Sequence, residues 1–271
     1  MTSKNDRIEG KKLSASSLPA LLEREDLVGG CRMFTCYTIH AGGGLPLVLV
    51  HGMGMSSRYL APLARQLGRH FSVYVPDLPG YGRSQHPKHQ PRLPELADTL
   101  VAWMDVMGLP QAAMVGNSMG CQTIVQLAVR HPSRLSTAVL MGPVIDPSGR
   151  SKLIQLLRGA WTLAMDEPIS FWPVAFRDYL AHGPHNVMRE LQWAIDYPIE
   201  VDLPKVRVPV LALRGERDRI VSRDWLLQVA NCAPLGVAGE IPNAGHVTNY
   251  DSPEATALII EAFLGKEAEG K

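Results

Sequence analysis

Five short stretches of the chain are apolar almost without interruption: Pro46 to Val50, Phe71 to Pro76, Ala112 to Val115, Thr137 to Met141 and Pro209 to Leu213. Runs of this length and texture are expected of strands buried on both faces of a parallel sheet. Between them the apolar positions recur every three or four residues. Tyr59, Leu60, Leu63 and Leu67 mark one helix, ended by Gly68; Leu93, Leu96, Leu100, Trp103 and Met107 mark a second, stopped by Gly108-Leu109-Pro110. Cys121, Ile124, Val125, Ala128 and Val129 mark a third, running to His131. Cys31 to His40 predicts a further strand, joined to the next through Gly42-Gly43-Gly44. Strands alternating with helices at this spacing predict an α/β fold, a mostly parallel sheet with helices on both faces.

The pattern changes after Met141. Ile145 to Val206 carries helical periodicity, three of the five tryptophans (Trp161, Trp172 and Trp193) and no clear strand. The expected division is a flexible N-terminal tail over 1–24, a core over 25–144 and 207–271, and a helical insertion over 145–206. No internal repeat or low-complexity segment interrupts it.

Composition narrows the partners. The 271 residues are 46% hydrophobic, enough for a large core, and 27 basic against 26 acidic residues leave a net charge of +1. That balance argues against nucleic-acid binding and against a membrane-surface role, and points to a small, roughly neutral molecule. The four cysteines form no C-x-x-C pair and read as free thiols of a reducing compartment. Met1 to Lys12 is polar, unlike a signal peptide, and no apolar run reaches membrane-spanning length, so a cytoplasmic location is expected. Oligomeric state leaves no mark in the sequence.

Candidate chemistry centres on Gly116-Asn117-Ser118-Met119-Gly120, set between a strand and a helix. A turn that sharp strains the serine backbone, and glycines on both flanks remove the Cβ atoms that would clash. A hydroxyl is a weak nucleophile, so it needs a base and a group to orient that base. Asp218 follows the strand ending at Leu213, and His246 sits in the loop after the last predicted strand, before the helix at Pro253. The chain order Ser118, Asp218, His246 is that of nucleophile-elbow hydrolases. The glycine-containing loop His51-Gly52-Met53-Gly54 offers a free backbone N–H for a developing oxyanion, and Met119 N–H offers a second. His51 reads as a residue that orders this loop. A base at His246 implies a rate that rises with pH, with an apparent pKa of about 6 to 7.

With these residues in view, the chain resembles the α/β-hydrolase superfamily. His51-Gly52-Met53-Gly54, the run Asp77 to Ser84, the Ser118 elbow, Gly215 to Asp218 and Gly245-His246 all match its landmarks, over about Cys31 to Leu264. The resemblance implies a nucleophile at Ser118, a base at His246, an acid at Asp218 and oxyanion donors at Met53 and Met119. It implies that the insertion forms a cap over the site, and that neither metal nor cofactor is used.

Asn117 before the serine is similar to the elbow of meta-cleavage-product hydrolases, which cut C–C bonds in ring-opened aromatics. Val247 after the histidine, and the modest glycine content of the loop from Gly52 to Ser56, depart from that branch. Cleavage of a small apolar carboxylic ester is therefore the first expectation, C–C hydrolysis the second, and a non-catalytic ligand receptor the third. Candidate ligand contacts are Asn117, Arg177 (the cation a substrate carboxylate would need), Trp161, Trp172 and Trp193. Gly80 to Gly82 lacks the third glycine of a dinucleotide loop, and His182 with His185 is too sparse for a metal site.

Overall fold

A computed structural model describes residues 18–269. Eight strands form one sheet: β1 (Leu22–Val28), β2 (Cys31–Thr38), β3 (Leu47–Val50), β4 (Val73–Pro76), β5 (Ala112–Asn117), β6 (Leu135–Met141), β7 (Val210–Gly215) and β8 (Gly236–Ile241). Their order across the sheet is β1-β2-β4-β3-β5-β6-β7-β8, with β2 antiparallel to both of its neighbours and the rest parallel. Ten α-helices accompany them: α1 (Ser57–Leu67), α2 (Leu93–Val106), α3 (Met119–Arg130), α4 (Lys152–Met165), α5 (Trp172–His182), α6 (Pro184–Asp196), α7 (Ile199–Asp202), α8 (Arg223–Cys232), α9 (Thr248–Asp251) and α10 (Pro253–Glu269).

Side chains alternate across a strand, so each central strand feeds two cores. On β3, Val48 and Val50 join the cluster built with α2, α3 and α8, where Trp103, Ile124 and Trp225 are buried. Leu47 and Leu49 join the opposite cluster, with Tyr59, Leu60 and Leu63 of α1 and Ile260 of α10. This is the sheet with helices on both faces that the apolar runs predict. No strand lies between β6 and β7; α4 to α7 occupy that stretch. Its C-terminal part joins the core beneath it, since Leu191, Ala194, Ile199, Leu203 and Val206 belong to the cluster shared with α3 and α8.

The tail expectation needs correction at one end. Residues 1–17 lie outside the described residues, but Leu22 to Arg24 belong to β1, a full edge strand. Its sequence, LEREDLV, is largely exposed and lacks apolar alternation. What holds it is backbone pairing with β2 in the register Leu22 to Tyr37 through Val28 to Cys31. The connection is two glycines, Gly29 and Gly30, both at positive φ, the conformation a two-residue hairpin turn requires. That Gly-Gly was the available signal, and charge along an edge strand is what discourages pairing with other chains.

Among the described residues no helix is long and apolar enough to cross a membrane, and the four cysteines are free.

Where polar atoms enter the core, they are paired. The Trp103 indole N–H donates to Thr35 Oγ1 at 2.9 Å, with both side chains fully buried. Thr35→Val keeps the shape but leaves that N–H without an acceptor, so it should lower stability by about 1–3 kcal/mol in urea unfolding. An unchanged midpoint and slope would mean that the indole finds another partner.

Candidate active site

The C-terminal ends of β3, β5, β6, β7 and β8 share one rim of the sheet, and every residue of interest leaves from it. Ser118 follows β5 immediately and is the N-cap of α3, at φ 56° and ψ −121°. A non-glycine residue at positive φ is held only where its surroundings over-determine it. Here the Ser118 N–H donates to Met141 O at 2.9 Å, and its carbonyl accepts from Cys121 N–H at 3.0 Å. The flanking glycines are steric necessities: a Cβ on Gly120 would lie 2.4 Å from Val50 O, and one on Gly116 would lie 2.6 Å from the Gly120 carbonyl carbon.

Asp218 and His246 meet as their order along the chain suggested. His246 Nδ1 lies 2.7 Å from Asp218 Oδ2, and both side chains are buried. The other carboxylate oxygen of Asp218 accepts the backbone N–H groups of Ile220 and Val221 at 2.8 and 3.0 Å, which fixes the plane of the acid. Burial pulls the His246 pKa down, but the charge and hydrogen bond of Asp218, with Glu167 and Asp251 nearby, hold it above the ordinary histidine value. Asp146, the acid after the preceding strand, is engaged elsewhere, by Ser222 Oγ at 2.7 Å and Ser148 N–H at 2.8 Å.

Two residues that sequence reasoning missed shape this pair. Gly142, at φ 56°, follows β6; a Cβ there would stand 2.7 Å from His246 Cε1 and 3.5 Å from Asp218 Oδ2. A glycine just after a buried strand on the functional rim is a usable local signal. Glu167, between α4 and α5, sends Oε1 to the backbone N–H groups of His246 and Val247 at 2.7 and 3.1 Å. Burial lifts its carboxyl to about 7. Nothing local in the sequence ties Glu167 to a loop 79 residues away.

Met53 lies in the loop after β3, and its N–H has no partner among the described residues. Met119 is the first residue of α3, where N–H groups have no intrahelical acceptor. The loop itself is ordered by His51, as expected. Leu78 N–H donates to its Nε2 at 3.0 Å, so Nδ1 carries the proton and donates to Gly52 O at 3.0 Å. Burial lowers the pKa of this imidazole, which suits the neutral form that both bonds require.

Asn117 borders the same cavity, yet its amide is occupied within the protein. The Gly52 N–H donates to Tyr59 Oη at 2.7 Å, Tyr59 donates to Asn117 Oδ1 at 3.0 Å, and Asn117 Nδ2 donates to Met141 O and His246 O at 3.3 Å each. One side chain thus ties the Met53 loop, the elbow and the His246 loop together.

Ser118, Met53, Met119 and His246 line a cavity of about 380 Å³. Its walls are largely apolar: Met55 and Val144 from the core, and Ile145, Leu156, Leu163, Phe171 and Leu191 from the insertion. Among the described residues no lysine or arginine lines it. The remaining ligand-contact expectations are therefore corrected. Arg177 is exposed on α5 and does not reach the cavity. Trp161 and Trp172 turn outward, about half exposed, the latter donating to Leu163 O at 2.9 Å. Trp193 packs under the Arg92 guanidinium. For Trp161 the reason is helical phase: the smaller side chains at 159, 160, 162 and 163 occupy the inward face of α4, and a bulky indole at 161 falls on the outward one. Among the described residues no cluster of three metal-ligating side chains occurs.

Comparison with known proteins places this geometry in context. A model of the α/β-hydrolase fold matches residues 46–165. A 2-hydroxymuconate semialdehyde hydrolase of Pseudomonas putida is 28% identical, over 90% of this chain and 94% of the relative. A pimeloyl-[acyl-carrier protein] methyl ester esterase of Vibrio vulnificus strain YJ016 is 26% identical, over 83% and 96%. Among solved structures, a thermophilic esterase from Thermogutta terrifontis superposes with a TM-score of 0.74 at 23% identity, covering 90% of this chain and 98% of that one.

Gly142→Ala should push the imidazole off Asp218, because the new methyl occupies the space of His246 Cε1 and the backbone is left-handed there. The measurement is the downfield proton resonance of the His246 Nδ1–H: present in the wild type, lost or shifted in the variant. An unmoved resonance in a folded variant would contradict the packing described.

Proposed function

Because this chain belongs to the α/β-hydrolase superfamily, we propose that it hydrolyses a small, largely apolar carboxylic ester through an acyl-enzyme, with Ser118 as nucleophile, His246 as base and Asp218 as its orienting acid. The observation that carries this reading is a strained serine at a helix N-terminus sharing one apolar cavity with a carboxylate-held histidine. Asp218 engages Nδ1, which leaves Nε2 to take the Ser118 proton as Oγ attacks the ester carbonyl. The negative oxygen then rests on the N–H groups of Met53 and Met119, each worth about 3 kcal/mol of barrier. His246 returns the proton to the leaving alcohol, and water repeats the sequence on the acyl group. The chain's own residues account for each proton and charge. The insertion serves as a cap that supplies the apolar wall of the acyl or alcohol site.

The cavity also favours an ester over a ring-fission acid. A C–C hydrolase of that kind must hold a substrate carboxylate. Among the described residues the lining offers no lysine or arginine, while Glu167, titrating near 7, adds negative character. The P. putida relative is named as a hydrolase of 2-hydroxymuconate semialdehyde, so both substrates belong in the test.

A fluorophosphonate probe should label Ser118, and p-nitrophenyl butyrate should turn over many times. Ser118→Ala should abolish both, and His246→Ala should be nearly as damaging, with losses of several orders of magnitude. A single-turnover burst without steady turnover would favour a ligand receptor. Faster consumption of a ring-fission dienoate than of every ester would favour C–C cleavage. Arg177→Ala should change kcat/KM for a neutral ester by less than about tenfold, since the side chain lies outside the cavity.

The pH dependence follows from the charge around His246. The imidazole must be neutral to accept a proton, so kcat/KM should rise with pH on a limb centred above the ordinary histidine value, higher than sequence alone implied. Asp218→Asn should move that limb down, because the charge favouring the imidazolium is gone. Glu167 titrates in the same window, so Glu167→Gln separates the two. If the limb persists in that variant, His246 sets it; a vanished limb would assign it to Glu167.

A further inference from the structure

The insertion carries its apolar residues on the wrong side for a water-exposed helix. On α4, Leu153, Leu157, Trp161 and Met165 recur at four-residue spacing and therefore form one stripe. That stripe is exposed, with Leu157 62% accessible. The opposite face of α4, through Leu156, Gly159, Ala160 and Leu163, lines the cavity. Helix α5 repeats the arrangement: Trp172, Phe176 and Leu180 are exposed at the same spacing, Phe176 at 68%. Ile169, in the turn between the two helices, is 81% exposed. The Trp172 indole N–H bonded to Leu163 O holds the start of α5 against α4.

The charges on this stretch are of one sign at the surface. Its three acids, Asp166, Glu167 and Asp178, are all buried. Asp166 is held by Arg219 at 2.8 Å, Asp178 by Arg58 at 2.8 Å, and Glu167 by the His246 loop. Lys152 at the start of α4 and Arg177 on α5 are exposed. Two apolar stripes with tryptophans beside them and only cations outermost suit an interface with acyl chains below and anionic headgroups above. A second copy of the chain would instead bring Lys152 and Arg177 of each copy into the same contact, at a cost in like-charge repulsion.

The whole-chain charge of +1 argues against a membrane-surface role, but it averages over a local surface whose acids are buried and whose stripes are apolar. We propose that the outer faces of α4 and α5 form a docking surface for an anionic lipid bilayer. Leu156, Ala160 and Tyr179 are both exposed and part of the cavity wall, so the cavity opens among these stripes. A docked molecule receives apolar substrate from the lipid without its crossing water; that consequence rests on the ester reading, whereas the docking does not.

The full chain should co-sediment with vesicles of phosphatidylcholine containing phosphatidylglycerol, and less with phosphatidylcholine alone, with the difference shrinking at high salt. The Ser118→Ala protein should bind equally, and a wild type that binds vesicles but turns over no ester would fell the hydrolase reading and leave the docking surface standing. Leu157→Ser with Phe176→Ser should weaken binding by about tenfold or more, while turnover of a water-soluble ester reports that the variant is folded. Lys152→Glu with Arg177→Glu leaves the apolar stripes intact and should abolish the preference for phosphatidylglycerol. Failure of the wild type to bind either vesicle would overturn the proposal. So would a solution dimer that the Leu157/Phe176 variant dissociates, which would make a second copy the occupant.

Discussion

The backbone of Ser118 is the constraint around which the rim is built. A residue held at φ 56° between a strand and a helix costs about 1–3 kcal/mol, and several features hold it there. β5 is buried from end to end and pairs with β3 and β6 on either side. Gly120 lets the turn close onto the backbone at Val50 and His51, and Gly116 lets the strand close onto the backbone at Gly120 and Cys121. The result is an oxygen raised above the sheet beside an unpaired helix N-terminus, in a cavity whose walls exclude most polar competition. On the proposed reading, activation of so weak a nucleophile as the Ser118 hydroxyl needs that low-dielectric setting, because oriented N–H groups and a buried carboxylate act more strongly there than in water.

The insertion is coupled to the machinery beneath it as well as to the cavity wall. Two consecutive carboxylates at the end of α4 reach the two loops that carry Asp218 and His246. Asp166 pairs with Arg219, next to Asp218, and Glu167 caps the backbone of His246 and Val247. Gly245 has no Cβ to obstruct this approach; one would lie 2.9 Å from Glu167 Oε1. A shift of α4 would therefore be felt at the imidazole, and a change at the imidazole would be felt by α4. A second buried link joins α5 and α6 to the loop after β4, where Glu190 receives Tyr81, Gln90 and His182 at 2.6–2.9 Å.

What could be read from sequence divides along the same physical line. Central strands such as Leu47–Val50 and Ala112–Asn117 are legible because burial on both faces leaves continuous apolar runs. Ser118, Asp218 and His246 are legible because each follows its own strand, and parallel strands end on one rim. β1 is not legible by pattern, because an edge strand held by backbone bonds imposes little on its side chains. Pocket walls are the least legible of all. Trp161 and Phe171 are both large, aromatic and in the insertion, but only Phe171 faces the cavity. The difference is helical phase, which composition does not carry. Glu167 acts across a long stretch of chain on backbone N–H groups, contacts that leave no residue signature at either end.

The central claim is that Ser118 becomes covalently acylated during turnover. Its most direct test is rapid mixing with p-nitrophenyl butyrate in stoichiometric excess, acid quench within the burst, and mass spectrometry of the peptides. The account predicts one butyryl group per chain, on the peptide containing Ser118, that appears with the burst of nitrophenol and is lost as the ester is exhausted. A burst or steady turnover in which that peptide stays unmodified, or carries the acyl group at another residue, would contradict it.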